Sequence, residues 1–134
     1  MNQLELKAAI EAILPKWKVT VDEADMVNVI ADSTTKPFVY IEEFDFVTDS
    51  AATFGMKRTR KEEIYVVMFT EMHKDGEKRV ALRETVLRPA LNAIQALLRE
   101  KWGVKTFTTD PMPRGFDANE ILLHTVFEYT EQVC

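Results

Sequence analysis

The chain has 134 residues, 46% hydrophobic and 29% charged, with a formal net charge of -5. That size and balance fit one globular domain with its own core, leave little room for a second, and exclude a disordered chain. The acidic balance is poorly suited to nonspecific phosphate binding, which needs concentrated Lys and Arg. The single cysteine, Cys134, excludes an internal disulfide and a four-cysteine zinc site.

No apolar run approaches membrane-spanning length. The segment Met1 to Leu14 carries acidic residues and lacks the basic-then-apolar layout of a signal peptide, so a cytoplasmic location is expected. Within it, Leu6, Ile10, Ile13 and Leu14 share one helical face. Asn2 and Glu5 have capping-box spacing, and Pro15 should stop the helix at Leu14. Residues 16–21 alternate, with Trp17, Val19 and Val21 on one side of a strand. Residues 22–36 fit either a short helix opening at Asp22 or a loop.

A strong strand is predicted from Phe38 to Val47. It has Phe38, Tyr40, Phe44 and Phe46 on one face, interrupted by Glu42, and Val39, Ile41 and Val47 on the other. Apolar groups on both sides imply cover on both sides. Residues 48–60 read as a long hairpin arm or loop, and the next strand runs from about Glu62 to Met72. There Ile64, Val66 and Met68 oppose Tyr65, Val67 and Phe69. After a turn at Asp75-Gly76 the period becomes helical from Lys78 to Trp102. One stripe joins Leu82, Val86, Ala90, Ala93 or Ile94 and Leu97, and Leu87, Leu91, Ile94 and Leu98 widen it. Pro89 should kink or divide this helix, and Gly103 should stop it. Val104 to Thr109 reads as a short strand and Asp110 to Gly115 as a loop. In the last strand, Asn119 to Glu131, Ile121, Leu123, Thr125, Phe127 and Tyr129 share a face opposite Leu122, His124 and Val126. The expected fold is α+β, one domain over 1–134. It has a mostly antiparallel sheet of four to five strands, two main helices packed on one face, and an extended loop or arm at 48–61.

Catalytic motifs are missing. The two histidines, His73 and His124, lie in no HExxH pattern, and there is no GxxxxGK[ST], GxGxxG or GxSxG. No cofactor, metal ligand or catalytic residue is assigned, and the chain is expected not to be an enzyme. The singular features are charge clusters. Glu42, Glu43 and Asp45 form an acidic group on the first long strand. Lys57, Arg58, Arg60 and Lys61 form a basic run beside Phe54 and Met56. A segment with apolar anchors and basic groups suits contact with an acidic partner surface, such as Glu42, Glu43 and Asp45 of a neighbouring copy. A solvated loop is the plainer reading of the same residues, and no specific nucleic-acid partner is expected.

In size and element order the chain resembles the small tail-terminator, or tail-completion, minor tail proteins of long-tailed bacteriophages and prophages. The resemblance rests on the helix at Leu4–Leu14 and the long strands Phe38–Val47 and Ile64–Met72. It continues through the helix Leu82–Trp102 and the closing strand Ile121–Tyr129. It implies a structural protein that forms a homo-oligomeric ring, commonly hexameric, ending the tail tube and serving virion assembly at the head-tail joint. Other tail or head-tail connector proteins would be its partners. It would sit in the host cytoplasm during assembly and in the virion tail afterwards, with no membrane role. The sheet edges and the 48–61 segment would lie between subunits. The alternatives are a small-molecule-binding domain or enzyme with a site near Tyr40, Glu42, His124 or Tyr129, and a regulatory protein-binding domain that uses a sheet edge.

Overall fold

The structure is a computed structural model that describes residues 2–21, 37–42, 46–52, 55–69, 76–110 and 120–133. Helix α1 (Gln3–Ile13) starts on the expected box: Asn2 Oδ1 accepts from the Glu5 N–H at 2.9 Å, and Asn2 Nδ2 donates to Glu5 Oε1 at 2.8 Å. It ends at Leu14, before Pro15. The residues at 22–36, like those at 70–75 and 111–119, lie outside the described set, as does the predicted end of the second long strand.

Among the described residues the sheet has six strands: β1 (Lys18–Thr20), β2 (Phe38–Ile41), β3 (Phe46–Ala52), β4 (Gly55–Phe69), β5 (Phe107–Asp110) and β6 (Glu120–Val133). The order is β1-β2-β4-β6-β5, and β3 pairs with β4 beside the other strands' path. The count exceeds the expected four to five, and β1 runs parallel to β2, while the other pairings are antiparallel. The extra strand comes from two corrections. First, the single strand expected over Phe38–Val47 is two strands. After Ile41 the Glu42 N–H donates to the Glu63 carbonyl at 3.0 Å, and the next described pair, Phe46 opposite Lys61, belongs to a different register. Second, β4 starts at Gly55, well before the predicted Glu62, because of the two readings of 48–60, hairpin arm or loop, the arm is the one whose strands pair.

The helical region also departs from one continuous α-helix. Helix α2 (Gly76–Leu82) passes through a π-helical turn (Arg83–Leu87) into α3 (Arg88–Trp102). Pro89 supplies the cause. It has no N–H, and its ring crowds the preceding turn, so the chain widens and the Arg88 N–H reaches back to the Arg83 carbonyl. The buried stripe is Leu87, Ala90, Leu91, Ile94 and Leu98, with Leu82, Val86 and Leu97 at its margin.

Helices α1 and α3 cover one sheet face. Leu6 and Ile10 from α1 and Leu87, Leu91, Ile94 and Leu98 from the π turn and α3 pack with Val19, Val39, Ile41, Ile64, Val66, Ile121, Leu123 and Phe127. Gln95 ties α3 to the same face through its Nε2, which donates to Thr109 Oγ1 at 2.9 Å and to buried Thr125 Oγ1 at 3.3 Å. On the opposite face Phe38, Tyr40, Tyr65 and Leu122 are buried too, so β2 is covered on both sides as expected.

Helix α3 closes on Gly103. Its φ is +67°, the Gly103 N–H donates to the Arg99 carbonyl at 3.1 Å, and the Val104 N–H donates to the Leu98 carbonyl at 3.3 Å. Val104 is thus part of the cap and buries its side chain, and β5 begins only at Phe107. A Cβ at position 103 would meet no atom within 4 Å, so any cost of adding one is backbone strain alone. Gly103→Ala should destabilise the protein by about 1 kcal/mol. Thermal unfolding should show a midpoint lowered by about 3–5 °C. An unchanged midpoint contradicts the strained-cap account.

Candidate functional site

The sites proposed from sequence fall largely on one feature, a three-stranded ribbon. β4 and β6 pair over fourteen positions, from Met56↔Val133 to Phe69↔Glu120. Among the residues of described burial, the buried core reaches Ile64 on β4 and Phe127 on β6, with half-buried Tyr129 against it. Beyond that point β4 is flanked by β3 on one side and β6 on the other, in a ribbon whose described residues are exposed or half-buried.

Met56, Lys57, Arg58, Arg60 and Lys61 all lie on the central strand of this ribbon. Lys57 is exposed and Arg58 half-buried. Their register neighbours include acids of the same chain: Arg58 stands between Asp49 of β3 and Glu131 of β6, and Lys61 is opposite Glu128. Thr59 and Thr130 join β4 to β6 through hydroxyls 3.1 Å apart. Much of the basic run therefore has its counter-charges within its own ribbon. Glu43, Asp45 and Phe54 lie outside the described residues. Glu42 is not beside the basic run; it sits at the end of β2, where its backbone carbonyl accepts from Gln3 Nε2 at 3.0 Å.

Glu42 belongs to a second cluster, on the face away from the helices. Register places Tyr40, Tyr65 and His124 in one row across β2, β4 and β6. The Tyr65 ring stacks on His124 at 4.5 Å and on Tyr40 at 5.8 Å between centroids. The Tyr65 hydroxyl lies 3.0 Å from both Glu42 Oε2 and Glu63 Oε2. It has one proton, so it donates to one carboxylate at a time. His124 Nε2 is shut off from solvent 3.3 Å from Glu63 Oε2, within ion-pair distance but outside hydrogen-bond geometry. Burial raises the Tyr65 pKa far above the ordinary phenol range, and hydrogen bonds to Glu42 and Glu63 and their negative charges add to the rise. The phenol is therefore a held proton donor and not a base. Sequence reasoning singled out Tyr40, Glu42 and His124 but missed Tyr65 and Glu63, which only the strand register brings in. Tyr129, grouped with the first three, lies on the opposite face against the helix-side core.

A cleft of about 680 Å³ opens at the other margin of the sheet. One wall is Trp102 to Thr106, with Lys101 Nζ 5.0 Å from the Trp102 ring centre, and the other is the β6 stretch Val126 to Thr130. β5 pairs with β6 from His124 to Phe127, and the cleft runs from the paired residues Thr108, Val126 and Phe127 past the end of that pairing. Among the described residues no set of three His, Cys, Asp or Glu is placed to hold a metal, and no helix is long and apolar enough to cross a membrane. Compared with known proteins, the chain matches no family model and no curated sequence.

The Tyr65 phenol yields a pH-dependence. Its folded-state pKa lies above its unfolded one, so its stabilising contribution is complete below about pH 10 and is lost as pH rises beyond it. Tyr65→Phe should cost about 1–2 kcal/mol at neutral pH. It should also make stability fall less steeply above about pH 10 than in the parent protein. Urea unfolding of both proteins across that range checks this; parallel curves would show that the phenol proton is not held by the fold.

Proposed function

We propose that this chain is a structural, non-catalytic subunit that assembles with copies of itself into a ring. In this reading it ends a phage-type tail tube and contributes to head-tail joining. The observation that carries the reading is the ribbon. β3, the first half of β4 and the last part of β6 leave the helix-covered core as a twisted sheet extension with polar and charged residues on both faces. Such an extension adds little to the monomer's core and much to the surface it can offer a neighbour. The resemblance in element order supports the same assignment and supplies the expected partners: further copies of the chain, then tail or head-tail connector proteins, in the host cytoplasm and finally in the virion tail.

The phenol–carboxylate–imidazole cluster supports a structural role in its own right. Its hydroxyl is satisfied by Glu42 and Glu63, which fasten the end of β2 to β4. That is a lock between strands, and a ligand would have to break it.

Light scattering on a sizing column across a concentration series, followed by negative-stain electron microscopy, tests the assignment. Closed rings of several copies, alone or on addition of tail-tube protein, are expected. A monomer at every concentration, with and without tube protein, would sink it.

A further inference from the structure

We infer that Arg83, at the π-helical turn, is a receiving site for a carboxylate brought by another molecule and taken on the Nε edge of its guanidinium. The inference does not rest on the ring assignment and survives its failure. Three observations carry it.

The first is an unmet donor. Arg83 Nε is shut off from solvent and, among the described residues, finds no hydrogen-bond acceptor. A guanidinium stays charged at any ordinary pH, so it cannot relieve this by losing a proton. A buried donor left unmet in a folded chain points to a partner from outside it. The residue as a whole is half-buried. A turn of its long side chain therefore presents the Nε edge, and the donor gains an acceptor by making that turn.

The second is the placement of the one acid beside it. Arg83 opens the π turn, and its carbonyl accepts from the Arg88 N–H. On an α-helix two residues five apart stand about 140° from each other. The π turn instead stacks residue 88 one turn above residue 83. Glu84 lies between them in sequence and gives both oxygens to Arg88: Nε donates to Oε2 at 3.3 Å and Nη2 to Oε1 at 3.1 Å. Its carboxyl is held below the usual carboxylate range by the Arg88 hydrogen bond first, and then by the charges of Arg88 and Arg83. Glu84 thus feels Arg83 as a charge and bonds to Arg88.

The third is the chemistry that fits. The Glu84–Arg88 pair shows it within the same turn: one carboxylate laid against the Nε and Nη2 edge of one guanidinium. A planar fork with a single positive charge matches a single carboxylate in shape and in charge. Val80, three residues before Arg83 and so beside it on the helix surface, is 50% exposed. It offers an apolar contact to whatever carries the carboxylate.

Arginine Nε–H signals in a heteronuclear correlation spectrum of the full chain read the site directly. Bonded Arg88 and exposed Arg99 serve as references. When acetate replaces chloride at constant ionic strength, the Arg83 signal should move toward that of Arg88 and saturate. It should do so at an acetate concentration roughly fivefold or more below that which moves Arg99. A second series raises the protein concentration in chloride alone. Movement of the Arg83 signal there makes a neighbouring copy the source of the carboxylate; movement with acetate only makes a separate molecule the source. Thermal unfolding gives an independent reading: acetate should stabilise the parent protein and neither Arg83→Met nor Arg83→Lys, since lysine keeps the charge but lacks the fork. An Arg83 signal that answers neither series overturns the proposal. So does an equal gain from acetate in the parent and in Arg83→Met, or a full gain in Arg83→Lys, which would reduce the site to a point charge.

Discussion

The antiparallel pairing of β4 with β6 is the constraint on which the rest of the structure depends. Fourteen consecutive pairs join two strands far apart in sequence, and they run through two environments. From Ile64↔Thr125 to Met68↔Ile121 one face of the pair lies under α1 and α3. From Met56↔Val133 to Lys61↔Glu128 the residues of described burial are exposed or half-buried, with Tyr129 still touching the edge of the core. An isolated two-stranded ribbon is marginal in water. The outer half persists because it is continuous with a buried half and because β3 adds a third strand. Its cross-strand contacts, each worth roughly 0.2–1 kcal/mol, then act on a register already set by the core.

Register in turn explains the cluster around Tyr65. A shift of one residue between β4 and β6 would turn Tyr65 and His124 to opposite faces and break their stack. The same offset sets Glu63 on β4 within reach of both His124 and the Tyr65 hydroxyl. Glu42, at the end of β2, completes the arrangement from the other side. Two carboxylates beside one phenol favour its protonated form, so the hydroxyl acts as a fixed clamp between two strands. This accounts for an acidic residue standing in an aromatic row, the oddity that Glu42 presents in the sequence.

Legibility in the sequence followed burial. Val39, Ile41, Ile64, Val66, Ile121, Leu123 and Phe127 alternate with period two because they line the face under the helices, and within each strand the expected grouping matches the face they share. The helical stripe was readable for the same reason, and so was the interruption at Pro89, although periodicity does not distinguish a kink from a π turn. The ribbon half of β4 was not readable as strand. Lys57, Arg58, Thr59, Arg60 and Lys61 include no apolar residue, so they carry no hydrophobic alternation, and a run of charges looks like a loop. Two of them have acids in register beside them, Asp49 and Glu131 for Arg58 and Glu128 for Lys61, which suits a central strand. The cluster was half legible: His124 and Glu42 stood out as residue types, while Tyr65 and Glu63 became relevant only through strand pairing.

The α3–β5 connection shows how a local cap decides what surface the molecule presents. A helix that ended two residues later, or a loop that ran straight into β5, would let residues 104–106 continue the ladder along Glu128 to Thr130 and close the edge. Gly103 instead adopts a left-handed conformation, and Val104 spends its backbone N–H on the Leu98 carbonyl and its side chain on the core. The chain thereby gains helix termination and apolar burial and leaves a length of β6 beside an open cleft. An edge of that kind is normally a liability that invites unwanted pairing. Here it sits between a tryptophan and a lysine, on the opposite margin of the ribbon from β3.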